Sequence, residues 1–194
     1  MYTAAFLLYV IVTAFTPGPN NILAMTHANK YGLRKTMKFT MGVSVGFLAI
    51  MLLCSYFNLL LSSYLPKIQL YLQIGGAVYM VFLAYKIITS TAAMNKHQEG
   101  EEARFFVSGL LLQFINPNVI LYGLTAISTF VIPVYTTNEG LIASSLFLAF
   151  IGMLASISWA VFGAMFQGFL HKHRRAFNAV MASLLVYSGI SVFI

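Results

Sequence analysis

The sequence predicts an all-α integral membrane protein with six transmembrane helices, arranged as two inverted three-helix repeats whose first helices are broken at proline. Two observations carry this prediction. The chain is 60% hydrophobic and only 8% charged, whereas a soluble domain carries about 25% charged residues. A motif, Pro-Asn-x-Ile-Leu, also occurs twice inside long apolar stretches, at 19–23 and 117–121, about half a chain apart.

Six apolar runs are long enough to cross a bilayer, which requires a helix of roughly 20 residues. They are Ala4–Met25, Phe39–Leu61, Ile68–Ile88, Phe106–Val131, Leu141–Phe162 and Phe177–Phe193. We interpret the first run as a retained span, because it has no preceding basic residue and exceeds a signal-peptide core. A polar loop at about 89–105 separates repeat one (about 1–90) from repeat two (about 106–194) within a single transmembrane domain, 1–194.

The basic residues indicate the orientation of these spans. All Lys and Arg residues except Lys67 lie in the first, third and fifth connections. The positive-inside rule places those connections in the cytoplasm and both termini outside. The two halves then have inverted topology, as in many secondary transporters. Because the net charge of +7 is divided among separate connections, it does not form a nucleic-acid-binding face.

The two Pro-Asn motifs predict a helix break inside the membrane in each half. Proline removes a backbone hydrogen bond and breaks a helix, and paired interrupted helices indicate the binding site of a transporter. Thr16 is placed to cap the second half-helix with Pro17 at its first position. Gly18 allows a ligand to approach the backbone. The alternative is that the prolines merely kink two helices.

Such breaks provide groups that suit a small zwitterion. The amides near Asn20 and Asn21 would direct the positive end of a helix dipole at a carboxylate. Carbonyls freed by Pro17, Pro19 and Pro117 can accept hydrogen bonds from an ammonium group. The alternative for each asparagine is a hydrogen bond between helices that only repairs the break. The predicted substrate-binding residues are Thr16, Pro17, Gly18, Pro19, Asn20, Asn21, Asn116, Pro117 and Asn118.

The distribution of ionisable residues favours a neutral substrate. The sequence contains no aspartate, and its four acidic residues are glutamates in the connections. No carboxylate inside the membrane can therefore carry a proton or pair with a cationic substrate. His27, at the cytoplasmic end of the first span, is the candidate proton carrier, with a plain interfacial role as the alternative. The uncharged polar residues Gln73, Gln113 and Tyr122 are further candidates to face the cavity.

No pattern indicates an enzyme, a cofactor or a metal site. A catalytic triad is excluded by the absence of aspartate and the peripheral histidines, and the sequence contains no phosphate-binding loop. No His, Asp or Glu cluster has metal-ligand spacing, and the single cysteine, Cys54, cannot form an intrachain disulfide. Expected partners are an amino-acid substrate, protons and the lipid bilayer. The Gly42 and Gly46 pair permits close helix packing, including that of a homodimer.

The segment Thr16–Asn20 resembles the hallmark of the LysE/RhtB family of amino-acid exporters. Four blocks resemble, within that family, the branch that exports cysteine and O-acetylserine: Thr16–Ala24, Gly42–Cys54, Leu121–Pro133 and Trp159–Gln167. The similarity extends over nearly the whole chain. Pro17, Gly18, Pro19 and Asn20 match the family motif.

The resemblance implies a multi-pass exporter in a bacterial inner membrane, with periplasmic termini and exchange of substrate against protons. The residues themselves leave other functions open. Without a membrane carboxylate, a facilitator that ignores the proton gradient is one alternative. A small channel and a non-transporting membrane scaffold are the others.

Overall fold

A computed structural model of the protein describes residues 2–89, 101–191 and 193. Of these residues 91% are helical and none is in a strand, which confirms the all-α prediction for the described part. The helices are α1 (Tyr2–Phe15), α2 (Pro19–Tyr31), α3 (Leu33–Tyr56), α4 (Asn58–Thr89), α5 (Glu101–Ile115), α6 (Pro117–Ala126), α7 (Asn138–Met165), α8 (Gln167–Lys172) and α9 (Arg174–Ser191). A π-helical segment, Ile127–Val131, extends α6.

The first predicted break is present. Helix α1 ends at Phe15 and α2 begins at Pro19, with a bend of 44° between them. Pro17 and Pro19 have no amide to continue the ladder of α1, so the chain leaves the helix and restarts at Pro19, in the favoured first position. The cap is Gly18 rather than the predicted Thr16. Helix α2 also continues beyond the predicted end at Met25 to Tyr31, and Ala28 and Asn29 of this continuation are buried.

The second break lies between Ile115 and Pro117, where α5 and the α6 segment meet at 63°. Pro117 again starts a helix, and Asn116 caps it. Helix α5 begins at Glu101, so the end of the predicted polar loop is already helical. The remainder of that loop, residues 90–100, lies outside the described residues.

The number of spans is confirmed only in part. Helices α3 and α7 and the Gln69–Thr89 part of α4 are long and apolar enough to cross a membrane, and the two bent pairs raise the number to five. The sixth predicted span corresponds to α9, which is not among these candidates. Helix α9 has 18 residues and starts with two arginines, so its apolar part is short. The structure therefore supports a multi-pass membrane protein without confirming six spans.

Glycines allow α3 to lie at the centre of the helix packing. It contacts both α5 and α7, while α2 packs on α7 and α4 packs on α9. A Cβ atom added at Gly46 would lie 2.7 Å from the Leu110 carbonyl oxygen, so only glycine permits this approach of α3 to α5. Gly42 and Gly109 serve the same contact. The Gly42 and Gly46 face is therefore occupied within the chain and not left open for a homodimer.

Candidate functional site

A cavity of about 410 Å³ lies where the two helix breaks meet. This volume falls within the range of small-molecule sites, about 300–1,000 Å³. Eight of the nine residues predicted to bind substrate line it: Thr16, Pro17, Gly18, Pro19, Asn20, Asn21, Asn116 and Asn118. Among the described residues on its walls, none is charged. The cavity therefore offers only backbone groups, amides, hydroxyls and apolar surface.

Pro117 is the exception among the nine predicted residues. It lies outside this cavity, and a Cβ added at Gly76 of α4 would meet its ring at 2.5 Å. With Gln69 and Gln73 it lines a separate, much smaller pocket. Pro117 therefore does not line the main cavity, and neither do the sequence candidates Gln73 and Gln113.

The N-terminus of α2 presents open amides at the cavity wall. Its cap, Gly18, has an extended backbone (φ −135°, ψ 176°) and no side chain with which to accept a hydrogen bond. Ile22 is the first residue of α2 whose amide bonds to the backbone, to the Gly18 carbonyl at 2.9 Å. The amides of Asn20 and Asn21 precede it and have no partner among the described residues. Such a terminus attracts an anion through both its amides and the helix dipole.

The second break is built differently, because α6 has a side-chain cap. The Asn116 side-chain oxygen accepts a hydrogen bond from the Asn118 amide at 3.2 Å. The Val119 amide bonds to the Asn116 carbonyl at 3.1 Å. The first turn of α6 therefore already has acceptors. The two breaks have the same sequence motif but differ in hydrogen bonding. Only the first break leaves helix amides without an acceptor among the described residues.

Asn20 is fixed by a partner on the other half of the chain. Asn20 Nδ2 donates to Gln113 Oε1 at 2.8 Å, and Gln113 Nε2 donates back to Asn20 Oδ1 at 3.0 Å. Gln113 is fully buried and also donates to the Gly109 carbonyl at 3.0 Å. This reciprocal pair joins the start of α2 to the end of α5, so it ties one helix break to the other.

Asn21 repairs the backbone of the first break, as the alternative interpretation of the asparagines proposed. Its Nδ2 atom donates to the carbonyls of Ala14 and Thr16, at 2.8 and 3.0 Å. Its Oδ1 atom accepts from Ser156 of α7 at 3.4 Å. Asn118 in turn donates to the Ser188 hydroxyl of α9 at 3.3 Å. The asparagines of both breaks therefore hold helices together at the cavity.

Most backbone carbonyls at the end of α1 already accept a hydrogen bond, so few of them remain to bind the predicted ammonium group. The Phe15 carbonyl accepts from the Trp159 indole at 3.2 Å, and the Val12 carbonyl accepts from the Thr16 amide and hydroxyl. Thr13, whose carbonyl would pair with the amide that Pro17 lacks, lines the cavity. Its carbonyl has no donor in the described part of the chain. It is therefore an open acceptor at this break.

Comparison with known proteins identifies the family. The model of the LysE type translocator family matches residues 11–194. Proteins named cysteine/O-acetylserine efflux protein are similar over almost the full length of both chains. The one from Salmonella typhimurium LT2 is 41% identical over 193 residues, covering 100% of this chain and 98% of its own. That from Escherichia coli K12 is 40% identical, covering 98% and 96%. No solved structure matches significantly.

The chain belongs to the LysE type translocator family. It is therefore a membrane transporter and not an enzyme. Membership was predicted from the Thr16–Asn20 motif and the further blocks of similar sequence, and that prediction is confirmed. A transporter needs a site that is accessible inside the membrane, and the cavity at the two breaks is the candidate in this LysE protein.

His27, the predicted proton carrier, does not line the cavity. It lies seven residues beyond Asn20 on α2, which corresponds to about 10 Å along the helix. Its ring packs edge-on against Phe39 and Phe105, with centroid distances of 4.8 and 5.3 Å, and lies 5.7 Å from Tyr31. Its Nδ1 atom is buried without a hydrogen-bond partner in the described residues. His27 thus lies among aromatic rings, and neither it nor these rings line the cavity.

Several cavity residues have no counterpart in the sequence prediction. Tyr9, Ser156 and Ser188 line the cavity from α1, α7 and α9. Each is a single polar residue in an apolar run, which is a weak signal, because most such residues only satisfy the helix backbone. Tyr122, in contrast, was a candidate from the sequence, and it lines the cavity. Its hydroxyl is buried with no partner among the described residues.

Proposed function

We propose that this LysE protein exports small neutral amino acids or their derivatives, such as cysteine and O-acetylserine, across a bacterial inner membrane. The observation that carries the proposal is the uncharged cavity at the two breaks, with the open amides of α2 on its wall. The names of its relatives, cysteine/O-acetylserine efflux protein, support this substrate class.

The substrate carboxylate binds at the start of α2. The amides of Asn20 and Asn21 donate to it, and the helix dipole adds about 0.3–1 kcal/mol, or up to about 2 kcal/mol in a partly buried site. The ammonium group binds at the Thr13 carbonyl, with amide oxygens of the break asparagines as further acceptors. Both charges of a zwitterion then have partners. A cationic side chain would have none, because no carboxylate lies among the described cavity residues.

Export follows from alternating access between two related halves. The pairing of α3 with α7 and of α4 with α9 supports this, because these helices hold equivalent second and third places in the two repeats. The positive-inside rule puts both termini in the periplasm. In this arrangement the cytoplasmic connections carry nearly all the basic residues. The two repeats rock about the fixed cavity, as in other inverted-repeat transporters.

Proton antiport is the coupling mechanism that the family resemblance implies, with His27 as the candidate carrier. One observation favours a different mechanism. Among the described residues that line the cavity, there is neither a carboxylate nor an imidazole, and His27 lies within an aromatic shell. A facilitator that moves substrate down its own gradient is therefore the second candidate.

The test is flux of labelled O-acetylserine and cysteine in proteoliposomes, with and without an imposed pH gradient. Saturable flux of either compound, with no flux of arginine, is the expected result. Acceleration by the gradient would establish antiport, and indifference to it would establish a facilitator. Export of arginine at a similar rate would contradict the neutral site. Absence of flux of both compounds would contradict the proposal and favour the scaffold alternative.

A further inference from the structure

The walls of the cavity differ in chemistry. One wall holds the helix breaks with their amides and asparagines. A second part of the lining is formed by Phe47 of α3, which lies beside Gly152 of α7 and packs against the Tyr122 ring of α6. If the backbone groups of a substrate bind at the breaks, its side chain points into this second, mainly apolar region.

Tyr122 is the polar exception in that region. Its ring stacks on Tyr9 at a centroid distance of 5.7 Å and an interplanar angle of 7°, and it also packs against Phe47 at 5.7 Å. The residue is 7% exposed, and its hydroxyl has no hydrogen-bond partner within the described chain.

A buried hydroxyl without a partner needs an explanation. Phenylalanine would fill the same space without leaving a polar group unpaired. The hydroxyl is therefore matched to a partner that the described residues do not supply. Because the hydroxyl itself is shielded from water, a hydrogen bond that it forms does not compete with solvent.

The position of Tyr122 suggests what that partner is. Asn118 and Tyr122 are one turn apart on the same face of α6, a rise of about 6 Å. Their side chains are therefore neighbours, and a substrate anchored beside Asn118 directs its side chain toward Tyr122. A cysteine sulfur is only a weak hydrogen-bond acceptor, whereas the acetyl ester of O-acetylserine carries a carbonyl oxygen that can accept a hydrogen bond.

We propose that the Tyr122 hydroxyl donates a hydrogen bond to the acyl carbonyl of an O-acylated amino acid held at the helix breaks, and that Tyr122 thereby sets a preference for O-acetylserine over cysteine. This inference rests on the proposed function. It adds a residue that determines specificity, and it places a hydrogen-bond donor in the part of the cavity that takes the substrate side chain.

The experiment compares Tyr122→Phe with the wild-type protein in proteoliposomes, using O-acetylserine, cysteine and O-ethylserine. O-ethylserine has the same chain length as the ester but lacks its carbonyl oxygen. Tyr122→Phe should lower kcat/KM for O-acetylserine about tenfold. It should change kcat/KM for cysteine and O-ethylserine by less than about twofold. Tyr71→Phe, at a 75% exposed position of α4 outside the cavity, is the matched control and should leave all three unchanged.

Folding is checked by the melting temperature of each purified variant. Since the hydroxyl has no partner among the described residues, Tyr122→Phe should not lower the melting temperature. An equal loss for all three substrates, no loss for O-acetylserine, or a lowered melting temperature would each overturn the assignment. Failure of the wild-type protein to transport O-acetylserine or cysteine would instead contradict the proposed function, so the two failures are distinguishable.

Discussion

The reciprocal amide pair between Asn20 and Gln113 gives a quantitative test of how the two helix breaks are joined. Each of its two hydrogen bonds, 2.8 and 3.0 Å long, contributes about 1 kcal/mol. The partners differ in surroundings, because Gln113 is 0% exposed while Asn20 is partly exposed at the cavity. Replacing Asn20 and replacing Gln113 should therefore lower the free energy of unfolding by different amounts.

Asn20→Leu leaves the Gln113 amide buried with an unmet acceptor and donor, so it should destabilise the protein by about 2 kcal/mol. Gln113→Met keeps a side chain of similar shape against Gly46 and leaves Asn20 at the cavity, where water can bond to it. We expect a smaller loss, about 1 kcal/mol. The double variant has no buried amide without a partner. Its loss of unfolding free energy should therefore be about 2 kcal/mol smaller than the sum of the losses in the two single variants.

The assay is equilibrium unfolding of the purified variants in mixed micelles, together with O-acetylserine transport in proteoliposomes. Gln113→Met should also raise KM for O-acetylserine, because Asn20 loses the bonds that orient it at the cavity. Additive losses in the double variant, to within about 0.5 kcal/mol, would show that the two side chains do not interact. That result would refute the view that this pair ties the breaks together.

Other substitutions test the cavity and the topology separately. Gly18→Leu should abolish transport and leave the fold intact, because a Cβ there meets nothing within 4 Å and the side chain enters the cavity. The control is Gly75→Leu, because Gly75 is equally free of close neighbours but lies outside the cavity. This variant should transport substrate normally. Similar transport activity of the Gly18 and Gly75 variants would exclude the cavity as the binding site. Asn116→Ala should cost about 1 kcal/mol of unfolding free energy by removing the cap of α6, and Asn116→Ser should recover most of it; equal stabilities would show that the cap is dispensable. A reporter active only in the cytoplasm and fused after Ile194 should be silent, whereas activity would reverse the proposed orientation.

The positions of the breaks could be predicted from the sequence because proline acts locally. Pro17, Pro19 and Pro117 each lack an amide, and no packing arrangement can restore one. The residues next to them then reach the cavity through backbone geometry alone. The same rule explains the starts of α2 at Pro19 and of α6 at Pro117, although the sequence predicted that the second half-helix starts at Pro17.

The partners of these residues could not be predicted, because they depend on packing between distant segments. Asn20 and Gln113 are 93 positions apart, and Ser156 lies 135 positions from Asn21. Nothing in the local sequence of Gln113 indicates that it is fully buried against Gly46. The extension of α2 to Tyr31 has the same origin, since Asn29 is buried and its carbonyl accepts a hydrogen bond from Gln167, 138 positions away.

The difference between the two breaks also came only from the structure. The sequence repeats Pro-Asn-x-Ile-Leu and predicts two similar sites. The residue before each proline decides the chemistry, because Asn116 has a side chain that can cap α6 and Gly18 has none for α2. Only the side-chain geometry shows that Asn116 uses that ability at 3.2 Å.

The most direct test of a carboxylate site at the start of α2 compares amino acids with their carboxamides. Unlabelled O-acetylserine and its carboxamide would each compete against labelled O-acetylserine in proteoliposomes. Since the open amides of Asn20 and Asn21 are donors that favour an anion, the carboxamide should compete at least about tenfold less well, a difference of about 1.4 kcal/mol. Equal competition by the two compounds would contradict the carboxylate site and with it the role of the first helix break.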